Sequence, residues 1–242
     1  MAILLLLITI IIFTIVQSVF GVGLLVFGTP SLLLLGYSFT ETLTYLIPCS
    51  IVVSSLQVYG NWNHITLYRF NVFYYLLPMV AFGLLVVLHI STINIYLMIG
   101  LMLIFTSVIR FSPSLNEILG RLLSNNFKIG LVMTGFIHGL TNLGGAPLVA
   151  ITNGIYKKKI SVQSNIAYAY LTMAVVQIVI LIVFGDFIVN TTALFLPFCS
   201  AIIYLFIGKR VFENTNEILY NNLMTFFIFL YGLLLIHFYF KF

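Results

Sequence analysis

Charge is scarce in this chain: five acidic and ten basic side chains are spread over 242 residues, 6% of the total. A surface that thin in charge excludes an ordinary water-soluble domain. The net charge of +5 comes from short connecting segments, not a basic domain, which argues against nucleic acid as a partner. Cysteine is limited to Cys49 and Cys199, each alone in an apolar run, so neither a disulfide framework nor a zinc knuckle is indicated. Both read as small packing residues. No P-loop is present, so ATP is not the direct energy source, and no GxSxG elbow supports a serine hydrolase. His64, His89, His138 and His237 are too dispersed to suggest a metal centre, and no cofactor is expected.

What fills the chain instead is hydrocarbon. Hydrophobic residues make up 62% and mean hydropathy is +1.20. Apolar stretches cover 2–36, 42–60, 70–89, 92–109, 129–156, 163–184, 188–207 and 222–240. Such runs cross roughly 30 Å of lipid as helices. No ten-residue alternation suggests an outer-membrane barrel. The expectation is an all-α, multi-pass integral membrane protein. The N-terminus has no basic segment or cleavage site and is read as retained structure.

One pattern occurs twice, 121 positions apart. Gln17-Ser18-Val19-Phe20-Gly21-Val22-Gly23, continuing to Gly28-Thr29-Pro30, is matched by His138 through Asn142-Leu143-Gly144-Gly145-Ala146-Pro147. The shift places Gln17 on His138, Gly21 on Asn142, Gly23 on Gly144, Thr40 on Ser161 and Thr44 on Asn165. The stretch 2–36 would be about 50 Å long as one straight helix, too long for a single crossing. Cut at Gly21–Gly23 it gives legs 3–17 and 24–36, each short of a span; the second stretch gives 129–141 and 146–156. Two short legs around glycine suggest a hairpin that re-enters the membrane.

Charge placement discriminates between topologies. If all eight stretches cross, Arg69, Arg110, Arg121, Lys128 and Lys241 face one side and Lys157, Lys158, Lys159, Lys209 and Arg210 the other, five against five. If 2–36 and 129–156 turn back, the division becomes nine against one, with Lys241 alone beside Glu41 and Asp186. Cytoplasmic loops are enriched in lysine and arginine, which selects the hairpins and places both termini outside. The expected organisation is a first repeat at 1–109, a cytoplasmic linker at 110–127 and a second repeat at 128–242. Each repeat holds one broken hairpin and three crossings, an odd number, so the repeats are inverted.

These residues carry a resemblance. Gly21-Val22-Gly23 with Pro30-Ser31-Leu32-Leu33, Gly135 to Gly139, and Asn142 to Pro147 resemble the glycine-rich repeats of the sulfite exporter TauE/SafE permeases. The tail from Gly208-Lys209-Arg210 to Tyr231-Gly232-Leu233 is similar to the end of that family. The chain departs from its fuller GxGGG pattern: Leu24 and Leu25 follow Gly23, and Asn142 stands where glycine is usual. The resemblance implies transport of sulfite, sulfonates or related small anions.

The chemistry expected at the breaks follows from the helix end. A leg that begins after a break presents N–H groups and a positive dipole, an anion site without lysine or arginine. The candidate substrate residues are Gln17, Ser18, Gly21, Gly23 and Thr29 with Thr141, Asn142, Gly144 and Gly145, joined by Thr44, Ser50, Asn165 and Tyr168 from neighbouring helices. The bland reading of the glycines is close helix packing, as for Gly135/Gly139. His138 either donates to an anion, carries a coupling proton or bonds a freed carbonyl. Glu41, and Ser161-Val162-Gln163 in the second half, read as helix caps before substrate contacts. Lys157–Lys159 reads first as a topology anchor, and Tyr59, Trp62 and Tyr68 as an interfacial belt. The partners are a small anion, the lipid of the cell membrane and a coupling ion, proton or sodium; a homo-oligomer is compatible. A passive anion channel and, less well supported, a membrane-embedded enzyme are the competing functions.

Overall fold

The structure is a computed structural model describing residues 2–66, 68–90, 92–185, 187, 190–214 and 217–241, with side chains omitted at 2, 68 and 217–224. Asp186 and the Tyr68 side chain therefore lie outside the described residues. The helices are α1 Ala2–Phe20, α2 Leu24–Leu34, α3 Phe39–Gly60, α4 Arg69–His89, α5 Ile95–Phe111, α6 Pro113–Asn125, α7 Phe127–Thr141, α8 Gly145–Ile155, α9 Lys159–Phe184, α10 Thr191–Asn214 and α11 Glu217–Lys241. One π turn interrupts α4 at Val72–Leu76 and another α10 at Tyr204–Gly208. Among the described residues, five helices are long and apolar enough to cross a membrane, or six with the α5–α6 pair. Their outward faces carry large apolar side chains such as Phe105, Phe198, Phe206 and Ile182. Water penalises such a surface; lipid does not.

Local signals set the boundaries. Ser38 caps α3 in a reciprocal box: its Oγ accepts from Glu41 N at 3.2 Å, and Ser38 N donates to Glu41 Oε2 at 2.7 Å. The capping role of Glu41 is thus present. Ser38→Ala is expected to lower stability by ~0.5–2 kcal/mol, read as a lower melting temperature in detergent, with unchanged transport per folded molecule. Asn94 and Asn190 cap α5 and α10 without the reciprocal bond, their Oδ1 atoms accepting from Leu97 N and Ala193 N. Gln163 is not a cap. Helix α9 begins at Lys159, and Gln163 is a buried residue facing α1.

Three sequence boundaries change. The first leg does not stop at 17: α1 is 19 residues long, about 28 Å, because Gln17 to Phe20 stay helical until the glycines. The expected crossings at 92–109 and 222–240 are the weakest by length; α5 has 17 residues, and the described apolar part of α11 is Thr225–Lys241. The hydrophilic linker is not a loop. It forms α6, bent 108° from α5 and packed on α8, with Ser124 against Gly154.

The 121-residue shift persists in three dimensions. Adding 121 to Leu24–Leu34 gives Gly145–Ile155, the bounds of α8. The same sum takes Phe20, the end of α1, to Thr141, the end of α7. Contacts are reciprocal: α1 packs on α10 and α7 on α4, α3 on α10 and α9 on α4, while α3–α9 and α5–α11 pair with their own counterparts. Thr14 donates to Ser200 at 3.3 Å; Thr14 plus 121 is Gly135 and Ser200 less 121 is Met79, and these two also meet.

Directions follow from successive contacts. Thr14 then Ser18 meet Ser200 then Gly208, so α1 and α10 advance together; Gly135 then Gly139 meet Leu76 then Leu84, so α7 and α4 do too. Helix α2 runs back along α3, with Leu24 N at Gln17 and Gly28 against Leu46. Helix α8 runs back along α7, with Gly144 at His138 and Ile151 against Gly130. Basic side chains gather at one end of the bundle. Lys159 donates to Phe212 O at 3.0 Å, Lys128 lies over Tyr75, and Thr66 bonds Tyr156 beside Lys157. Trp62 belongs to this end, under the Arg69 guanidinium at 4.1 Å.

Candidate functional site

Each break is made by one residue in the left-handed region. Gly21 has φ 72° and Asn142 φ 64°, and each N–H donates to the carbonyl four residues back, Gln17 O and His138 O, at 2.8 Å. Asparagine is the residue that best tolerates this conformation after glycine. That explains why Asn142 replaces glycine without loss of the turn, and it adds a side chain that glycine lacks.

The repeat mates Gln17 and His138 do the same work by different chemistry. Gln17 Oε1 accepts from Leu24 N, and His138 Nδ1 accepts from Gly144 N, both at 3.3 Å. Each fastens the start of its returning leg. The expectation of unpaired N–H groups at the breaks is corrected here: these two are taken, and Leu143 N donates to Thr141 Oγ1. The next N–H groups of α8 belong to Gly145 and Ala146, ahead of Pro147, which has none.

Two polar clusters surround the breaks. In the first, Gln17 Nε2 donates to Ser50 at 3.3 Å and Ser54 at 3.1 Å. Gln57 donates to Gln17 O and Ser18 O, and Gln163 donates to Ser18 O. In the second, Gly144 N–H leaves His138 Nδ1 as an acceptor, so Nε2 carries the proton and donates to Gln177 Oε1 at 3.2 Å. Gln177 Nε2 then donates to Asn142 Oδ1, and Asn142 Nδ2 to Thr29 Oγ1 at 2.9 Å. Every donor in that chain points the same way. It ties α9, the second break and α2 together, and the backbone at Gly145 lies against Val22 and Val26. The two breaks are neighbours in the buried centre.

Of the sequence candidates, Gln17, Ser18, Gly21, Gly23, Thr29, Ser50, His138, Thr141, Asn142, Gly144 and Gly145 are brought to these clusters. Thr44 instead donates to Thr40 O, Asn165 to His64 O and Ser161 O, and Tyr168 lies near Arg69. Five residues were missed as site members: Ser54, Gln57, Gln163, Gln177 and Tyr170. Gln57 and Gln177 had a signal, an amide within an apolar run. Tyr170 did not, because an aromatic there reads as core. Yet Tyr170 Oη is fully buried against Gly145 and has no hydrogen-bond partner, as is also true of Gln57 Oε1. A buried orphan of this kind costs about 1–3 kcal/mol. These atoms retain capacity for a ligand.

Cys49 is buried and donates to Tyr45 O at 3.2 Å, as a packing residue would. Gly139 serves the packing role expected of it: a Cβ there would collide with the Val80 carbonyl oxygen. Among the described residues no group of three His, Cys, Asp or Glu side chains could hold a metal.

Comparison with curated proteins and with solved structures returns no match. A family model, by contrast, matches residues 5–235, both breaks and both clusters included. The chain belongs to the sulfite exporter TauE/SafE family.

Proposed function

We propose that this protein is a secondary transporter of a small anion, a sulfur oxyanion such as sulfite or an organosulfonate, working by alternating access. The observation that carries this reading is the pair of buried breaks, each a left-handed cap at matching positions, Gly21 and Asn142. Broken helices at corresponding places in two halves are how transporters build a site near the bilayer centre. The substrate class comes from family membership.

In this reading the halves are inverted. Helices α1, α3 and α10 run together, as Tyr45 with Asn190 and Thr14 with Ser200 indicate. Helix α9 opposes α3: moving from Gln57 back towards Leu46 passes from the level of Gln163 to that of Gln177. The two hairpins then enter from opposite leaflets, repeats 1–109 and 128–242 flank the α6 linker, and the basic end faces the cytoplasm. Two oppositely directed hairpins sharing one central contact favour gating over an open pore.

The anion is held at the second break by the Gly145 and Ala146 N–H groups and Tyr170 Oη, with no buried positive charge. His138 acts here as a neutral fastener. His138→Gln, which copies the Gln17 arrangement, is expected to keep transport with the same pH profile; a displaced profile would restore a proton role to this residue. Reconstituted protein should accumulate radiolabelled sulfite, thiosulfate or a sulfonate against its gradient when a proton or sodium gradient is imposed. Simple dissipation of a preset anion gradient would make it a channel, and absence of flux for all three would remove the substrate assignment.

A further inference from the structure

The space around the two hairpins is unequal. Beside the second, a cavity of about 680 Å³ opens between the α5–α6 elbow, α7, α8 and Thr225 of α11. Its inner wall reaches Ala146 and Pro147, adjacent to Gly145; its mouth holds Asn153, Lys157 and Arg110. Arg110 donates to Thr225 Oγ1 at 3.1 Å, which fixes its charge at the rim. Arg121 also lines the cavity, paired with Glu117.

The 121-residue shift, applied in both directions, gives the matching space beside the first hairpin, and it is full. Arg110 corresponds to Tyr231 across the repeat, Asn153 to Leu32 and Lys157 to Gly36. Here Phe13 stacks on Phe27 at 5.6 Å, and Phe27 meets Tyr231 at 6.4 Å. The hydroxyls of Ser31 and Tyr231 are hydrogen-bonded at 2.7 Å, with Ser31 only 9% exposed. Phe13 comes from α1, Phe27 and Ser31 from α2 and Tyr231 from α11, so the four lie along the returning leg between the first break and its junction with α3, away from the basic end. The same architecture is open at one end and plugged at the other.

Lysine, arginine and asparagine at the mouth favour water over lipid tails there, because a charge moved into hydrocarbon costs ~2.5–3.5 kcal/mol or more, while the remaining wall is mostly apolar, with Met102, Phe105, Met133 and Ile137. A basic mouth also raises the local anion concentration and the rate of encounter. We infer that the cavity is the water-filled access path from the basic side to the second break, and that Phe13, Phe27, Ser31 and Tyr231 form the closed barrier on the opposite side. The inference rests on the transport reading above. Release on the far side then requires the Ser31–Tyr231 bond to part and Phe27 to leave Phe13.

Cysteine accessibility in sealed, oriented vesicles tests this on the full chain. Cys199→Ser removes the partly exposed thiol, and buried Cys49 stays. Asn153→Cys and Ala146→Cys are expected to react with a membrane-impermeant methanethiosulfonate from the Lys157 side only, at least tenfold faster than from the other. Ser31→Cys should resist it from both sides until Tyr231→Ala is added, which exposes it from the side opposite Lys157. Labelling of Asn153→Cys by a lipid-soluble maleimide but not by the charged reagent would overturn the access path, and equal labelling from both sides would overturn the barrier. The labelling uses no substrate. One-sided reactivity without flux of any sulfur oxyanion would therefore sink the substrate assignment while sustaining the path.

Discussion

Tyr170→Phe is expected to reduce anion transport by ~10- to 150-fold while leaving the melting temperature equal to or above that of the parent. The estimate is the loss of one hydrogen bond to a charged group, about 1.5–3 kcal/mol. The stability side has a separate origin. Tyr170 is fully buried, and no protein group bonds its hydroxyl. Removing an orphaned donor relieves a penalty in the resting protein, so the fold gains nothing from the oxygen. A residue that served only to pack would leave transport unchanged, since Phe conserves the ring and its edge contact with His138 at 5.5 Å. Uptake rates normalised to folded protein, with thermal melts in the same detergent, measure both. Unchanged uptake in the variant would dismiss Tyr170 as a ligand and shift attention to Gln57 Oε1, the other orphan beside the breaks.

Substitution of Asn142 by Val should abolish the folded transporter, whereas Gly should preserve its fold and weaken its function. Two costs separate in this series. The left-handed backbone penalises a side chain with Cβ by ~1–2 kcal/mol, more when it is β-branched. Loss of the amide strands Thr29 and Gln177, at about 1–3 kcal/mol for each buried partner left without a bond. Asn142→Val incurs both, a large share of the ~5–15 kcal/mol that holds a typical protein folded. Asn142→Gly incurs only the second and restores the residue that its repeat mate, Gly21, already uses. The expected order of melting temperatures is Asn, then Gly, then Ala, then Val. If Ala equals Gly, the turn at Asn142 is not what the structure draws, and the break loses its physical cause.

Much of this molecule was readable from residues alone, for reasons that are local. Helices had to form wherever apolar runs met lipid, because no other backbone arrangement satisfies its own hydrogen bonds there except a closed barrel. The breaks were legible because glycine and proline punctuate regular structure, and their repetition at a fixed spacing marked two halves. Glu41 was legible as a cap because a capping box is written in four consecutive residues. The end of α1 was not. Nothing in Gln17-Ser18-Val19-Phe20 says whether a helix stops before or after those residues, and packing against Ser200 and Gly208 keeps it going.

Side-chain roles within the bundle depended on partners far along the chain. Asn165 turns to His64 O, while Gln163, two residues earlier on the same helix, turns to Ser18 O; the shift of 121 could not tell them apart. Tyr170 looked like core because its ring is core, and only the placement of its oxygen beside Gly145 separates it from a phenylalanine. Composition and periodicity thus determined that this chain lives in lipid as two related, interrupted halves. Which polar groups face one another, and which end is open, was decided by the tertiary arrangement, because hydrogen bonds are short and directional while sequence spacing fixes only the helix face on which a group stands.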